Sequence, residues 1–231
     1  MAALGLTLPR SGDLLAGRQD NLAHNESQSL AVFNEALLQT LGGPWSRPPT
    51  LRRNWSADPR LDRAVTVGME TAAKAFPTDG PVVWKDPRMC ILLPFWRRLI
   101  PRLKGAVFVW RSPLAVAHSL RARDEMSVDD GLRLWSRYNG DAIAGLSGLD
   151  TLTVNYDAVT DDPGSFVDRA AAWLDALDPA LAPEEGWHRG RARESIRAEQ
   201  RHHAVDEREV PDQYRPLVER LITMSGGEPV P

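Results

Sequence analysis

Apolar residues along the chain follow two alternating periodicities, which predict strands alternating with helices. Short apolar runs at 81–85, 105–111 and 151–156 have the length and the β-branched or aromatic content of buried strands. Each run is followed by a segment in which apolar residues recur every three or four positions, as they do on one face of a helix. We therefore expect an α/β fold, with a parallel sheet and helices on both faces.

Local signals delimit the predicted helices. Ser112 suits the N-cap and Pro113 the first helical position of a helix over 113–122. Gly42-Gly43 ends a helix whose apolar positions run from Leu30 to Leu41. Further helices are expected at about 59–75, 87–99 and 211–225, and after the capping residues Ser127 and Asp162.

Length and composition favour one globular domain spanning 1–231. The chain has 231 residues, of which 42% are hydrophobic and 26% charged. A proline-rich loop is expected at about 44–59, and a polar, arginine-rich segment at about 184–209. The net charge of -3 gives no reason to expect nucleic-acid or membrane binding. No signal peptide and no apolar run of 18 residues is visible, so we expect a cytoplasmic protein.

Two of the predicted strands end in a cation followed by a proline. The first leads into Lys85-Asp86-Pro87-Arg88, and the second into Arg111-Ser112-Pro113, with Ser119 eight residues beyond Arg111. Ligands of open α/β sheets bind at the carboxyl ends of the strands, so two such cations indicate an anionic ligand. A salt-bridged strand end and a solvent-facing serine are the plainer interpretations. Only three of the 28 basic residues are lysines, which makes Lys85 more informative than any single arginine.

The order and spacing of several motifs resemble those of the bacterial sulfotransferase family. Members of this family transfer a sulfonate group from 3′-phosphoadenosine-5′-phosphosulfate (PAPS), and their fold resembles that of P-loop kinases. The resemblance rests on Asp13-Leu14-Leu15 with Asp20-Asn21 and Glu26-Ser27, on Lys85-Asp86-Pro87-Arg88 before Leu93-Pro94-Phe95-Trp96, on Arg111 to Leu120, on Leu134-Trp135 with Tyr138-Asn139, on Tyr156-Asp157 before Asp162-Pro163, and on Ile196 with Arg201-His202-His203.

The resemblance implies a cofactor site. In the family, the arginine and serine that match Arg111 and Ser119 bind the 3′-phosphate of PAPS, and the tyrosine that matches Tyr156 lies close to the adenine. Arg201 is assigned to the same cofactor site. PAPS would be the cosubstrate, and no metal is required.

The resemblance also implies a catalytic group. The lysine that matches Lys85 lies near the transferred sulfonate, and a glutamate in the region of Glu26 is the general base in some relatives. Asp86, next to Lys85, is the other candidate base. The expected reaction is in-line transfer of a sulfonate from PAPS to a hydroxyl or amine of a small-molecule acceptor.

One departure from the family concerns the phosphate-binding loop. Family members begin with a strand and a loop of the P-x-S-G-T-[ST] kind, whereas Pro9-Arg10-Ser11-Gly12 is followed by Asp13, which would repel the 5′-phosphosulfate. The better alignment puts residues 1–8 inside the helix after that loop, so we expect the strand and the loop to be missing and activity to be weak.

Two alternatives stay open. One is a non-catalytic nucleotide-binding relative. The other is a P-loop small-molecule kinase, although G-x-x-x-x-G-K-[ST] does not occur.

Overall fold

A computed structural model describes residues 1–16, 25–76, 80–182, 189–196 and 209–226. The chain divides into two compact units, Met1–Leu103 and Lys104–Pro231. The single domain spanning 1–231 stays a prediction.

The first unit is built from three helices around an aromatic core. The helices are α1 (Gln28–Leu41), α2 (Asp62–Ala75) and α3 (Met89–Leu99), with single 3-10 turns at Ala2–Leu4, Ser11–Asp13, Trp55–Ala57 and Pro59–Leu61. The fully buried Trp96 lies at the centre of the core, with its ring 5.5 Å from Phe33 and 4.5 Å from Trp84. Helices α1 and α2 approach closely, since a Cβ on Gly68 would lie 2.9 Å from the Phe33 ring.

The strand predicted at 81–85 is reduced to a single parallel bridge. Thr7 donates its backbone N–H to the Pro81 carbonyl, and its own carbonyl accepts from Val83, both at 2.9 Å. A continuing parallel ladder would need the N–H of residue 9 on one side and that of residue 81 on the other. Both positions are proline, and proline has no N–H to donate. The pairing is therefore limited to the single bridge between Thr7 and Val82.

The prediction that residues 1–8 lie inside a helix is wrong. Ala2–Leu4 form one 3-10 turn, Gly5 follows with φ of 93°, and Thr7 takes part in the bridge with Val82. Gly5 adopts the left-handed conformation that ends helices.

The second unit carries a small parallel sheet covered by helices. Strands β1 (Gly105–Trp110) and β2 (Asp150–Asn155) pair in parallel register along their whole lengths. Around them run α4 (Pro113–Asp124), α5 (Val128–Leu146), α6 (Tyr156–Asp161), α7 (Pro163–Leu177), α8 (Arg189–Glu194) and α9 (Arg215–Met224). Helices α4 and α5 pack so tightly that a Cβ on Gly131 would lie 2.9 Å from the Ala117 Cα atom.

Mixed α/β structure with parallel pairing is thus confirmed. In the ranges that the structure describes, the named strands form a sheet of two, and helices over both faces of a larger sheet stay a prediction. None of the helices in those ranges combines the length and apolarity that crossing a membrane requires.

Candidate functional site

Arg111 and Tyr156 meet at the carboxyl end of the two-stranded sheet. They follow Trp110 and Asn155, which are partners in the parallel register, so the two strands end side by side. The guanidinium carbon of Arg111 lies 4.9 Å from the centroid of the Tyr156 ring, which is a cation–π contact. The Nε atom of Arg111 lies 3.5 Å from Oδ1 of Asp157. The structure therefore brings together two of the residues predicted to bind the cofactor.

The start of α4 lies directly after Arg111. Pro113 is the first helical residue and Ser112 the N-cap, as the sequence predicts, but the Ser112 side chain makes no capping hydrogen bond. Its Oγ atom is buried and, among the described residues, has no hydrogen-bond partner. The Trp135 indole N–H donates to the Arg111 carbonyl at 2.9 Å and so fixes the strand end. Ser119 lies two turns further along α4 and is half-buried.

Lys85 and Glu26 form an ion pair in the first unit. The Lys85 Nζ donates a hydrogen bond to Oε1 of Glu26. The Glu26 side chain is only 8% exposed, whereas the Lys85 side chain is 50% exposed. The structure thus unites two predicted catalytic residues, with the carboxylate on the protein side of the pair and the amine towards solvent.

Asp86 turns towards other partners and belongs to a buried polar network. Its carboxylate accepts from the Asn34 amide at 2.8 Å, and from the backbone N–H and the guanidinium of Arg88 at 2.8 and 3.1 Å. Asn34 accepts in turn from the Trp96 indole at 2.9 Å, and Arg88 donates to Glu35 at 3.1 Å. Burial raises the pKa of Asp86, against the opposing effect of the Arg88 charge. This network ties α1 to the start of α3.

Sequence reasoning missed three polar partners, namely Asn34, Glu35 and Asp157. Asn34 had a usable signal, because it interrupts the buried apolar stripe of α1 between Leu30 and Leu37. A polar residue at such a position needs a buried partner. Asp157 stood next to Tyr156 in a motif but was given no role.

Arg201 and most of the arginine-rich segment lie outside the described residues, so the assignment of Arg201 to the cofactor stays a prediction. The Arg111 group, which is Arg111 with Tyr156 and Asp157, belongs to the second unit. The Lys85 group, which is Lys85 with Glu26 and the network around Asp86, belongs to the first.

Comparisons with protein-family models, with curated proteins and with solved structures give no match for this chain. The resemblance to sulfotransferases therefore stands on the sequence motifs alone.

Proposed function

We propose that this chain is a PAPS-dependent sulfotransferase with a P-loop-kinase-like fold, acting on a hydroxyl or amine of a small-molecule acceptor. The observation that carries the proposal is the contact between Arg111 and Tyr156 at the ends of adjacent parallel strands. An arginine for a phosphate and an aromatic ring for a base, side by side, are what a 3′-phosphorylated adenosine requires.

The surroundings of Arg111 suit an anion. The first turn of α4 begins beside it, and the N–H groups and dipole of a helix N-terminus favour negative charge. The buried Ser112 hydroxyl offers a further donor at the same strand end. The guanidinium can give two parallel hydrogen bonds to a phosphate, an arrangement that is stronger than a contact between neutral groups. On binding, the phosphate would take over part of the charge compensation that Asp157 supplies at 3.5 Å.

The Lys85–Glu26 pair supplies the chemistry of the transfer. As the acceptor oxygen or nitrogen attacks the sulfur atom, Glu26 takes its proton and the bond from sulfur to the bridging phosphate oxygen breaks. Lys85 stabilises the charge that collects on the sulfonate and on the leaving phosphate. Glu26 is the more accessible of the two candidate bases, because the carboxylate oxygens of Asp86 already accept from Asn34 and Arg88 in a side chain that is 1% exposed.

Calorimetry with adenosine 3′,5′-bisphosphate tests the cofactor site. We expect Arg111→Ala to weaken binding at least about tenfold, since a charged hydrogen bond contributes about 1.5–3 kcal/mol. Arg133→Ala is the matched control, because Arg133 is an exposed arginine of the same unit whose partner is Asp130. Equal affinities for the two variants would overturn the proposal, provided that circular dichroism shows both to be folded.

A nucleotide-binding protein without transfer activity is the second candidate. It is favoured by Asp13, which stands in the turn that imitates a phosphate-binding loop and points its carboxylate at the start of α1. Labelled PAPS with a panel of hydroxylated acceptors separates the two functions. Binding of the bisphosphate without any sulfonate transfer would favour the second.

A further inference from the structure

Asp13 holds the first turn of α1 through three hydrogen bonds. Its carboxylate accepts from the Ser29 backbone N–H at 3.0 Å, from the Ser29 hydroxyl at 2.9 Å and from the Ser27 hydroxyl. Ser27 is the N-cap of the helix, and its Oγ atom accepts from the Leu30 N–H at 3.1 Å. A carboxylate at a helix N-terminus is stabilised by the helix dipole. The negative charge of Asp13 is therefore directed at α1.

The residues after this turn also fix the backbone of Glu26 itself. The residues that follow Asp13 run antiparallel to the start of α1, with Leu14 bridged to Ser27. The Leu15 N–H donates to the Glu26 carbonyl at 2.9 Å. Glu26 is thus held at its own carbonyl by Leu15 and at its neighbour Ser27 by Asp13.

We propose that Asp13 is a positioning residue that places the Glu26 carboxylate against Lys85. Glu26 comes immediately before the capped turn, so any loosening of Ser27 moves the backbone that carries its side chain. The sequence suggested that Asp13 would repel a phosphosulfate, whereas its contacts give it a role in holding the proposed base. The importance of that role for catalysis rests on the proposed function, but the placement itself can be measured without nucleotide or acceptor.

The rate at which each lysine is acylated reports on this placement. An amine reagent needs the nitrogen lone pair, and an ammonium that donates to a carboxylate does not offer it. The chain has three lysines, so trace acetic anhydride labelling of the full chain, read by mass spectrometry, follows Lys85 with Lys74 and Lys104 as internal references. Glu26→Gln should speed labelling of Lys85 about threefold, within the range of a partly exposed ion pair, and it defines the full effect.

Asp13→Ala should speed labelling of Lys85 by at least half of that effect and leave Lys74 and Lys104 unchanged. Asp13→Asn should label more slowly than Asp13→Ala, because its side-chain oxygen still accepts from the Ser29 N–H although the acceptor for the two hydroxyls is lost. The proposal would be overturned if Lys85 were labelled faster in Glu26→Gln but at the wild-type rate in Asp13→Ala. It would also be overturned if Glu26→Gln left the labelling rate of Lys85 unchanged.

A general loss of folding in Asp13→Ala is recognisable by circular dichroism. In that case Ser29→Ala, which removes one hydroxyl donor to Asp13, replaces Asp13→Ala. It should raise the labelling of Lys85 alone, and an unchanged rate would overturn the proposal. Since the assay contains neither PAPS nor acceptor, failure of the sulfotransferase function leaves its outcome unaffected.

Discussion

Lys85 and Arg111 occupy equivalent positions in the sequence, each after an apolar run and before a helix, but their surroundings differ. Around Lys85 the neighbouring polar groups are closed into short hydrogen bonds, from Trp96 through Asn34 and Asp86 to Arg88. The contacts of Arg111 include an ion pair at 3.5 Å and the face of an aromatic ring.

This difference distinguishes structural polar groups from ligand-binding ones. A buried carboxylate such as Asp86 with several donors is part of the scaffold, because removing any donor leaves an unsatisfied group in the interior. A guanidinium whose ion pair is 3.5 Å long can pass that contact to an incoming anion. We therefore expect variants of the two groups to fail in different ways.

The largest effect is expected for turnover in Lys85→Ala. If Lys85 acts on developing charge, its loss should lower the turnover number about 100- to 1000-fold, as loss of a single stabilising donor does. Binding of adenosine 3′,5′-bisphosphate should change little, since the contact strengthens only in the transition state. Lys74→Ala, an exposed lysine on α2, is the control. A variant with full turnover and a raised KM would make Lys85 a binding residue.

Stability should respond most at Asn34, in the middle of the closed network. Asn34→Ala removes a donor from Asp86 and an acceptor from the Trp96 indole, and we expect a loss of about 2–3 kcal/mol in the free energy of unfolding. Gln39→Ala, on the exposed side of the same helix, should cost less than about 0.5 kcal/mol. Urea denaturation followed by tryptophan fluorescence measures both. Equal losses would show that the network adds nothing to stability.

Local signals in the sequence were enough for the helix starts and for one strand pair. Ser112-Pro113 and Gly42 fix helix boundaries through their own backbone preferences, so no tertiary information was needed. The parallel pairing of β1 and β2 followed from the alternation of strands and helices. The helix signals lie within a few residues of the boundaries they predict, whereas the parallel arrangement was predicted from the order of the elements along the chain.

Contacts between distant residues escaped the sequence analysis. Asn34 and Asp86 are 52 positions apart in the sequence. Whether Asp86 contacts Asn34 or the adjacent Lys85 depends on how α1 packs. The prediction of a strand at 81–85 failed for a similar reason. The length of that strand is limited by Pro9 in the partner segment as well as by its own Pro81. Sequence reasoning named Lys85 and Glu26 through the resemblance, but the role proposed for Asp13 needed the folded chain.

The smallest effect should come from Asp157, which sharpens the contrast between the two groups. Asp157 compensates the charge of Arg111 at 3.5 Å and would compete with a phosphate for it. We therefore expect Asp157→Asn to tighten binding of adenosine 3′,5′-bisphosphate about two- to fivefold, the size of a partly exposed ion pair. Asp175→Asn, at an exposed position of α7, removes an equal charge and serves as the control.

Calorimetry at fixed ionic strength separates the two variants, because general charge effects would act on both. Tighter binding in Asp157→Asn alone would show that Arg111 exchanges one anion for another when the ligand arrives. Weaker binding would instead mean that Asp157 orients the guanidinium for the phosphate. The Arg111 group would then be preorganised like the network around Asp86, and the contrast between the two groups would fail.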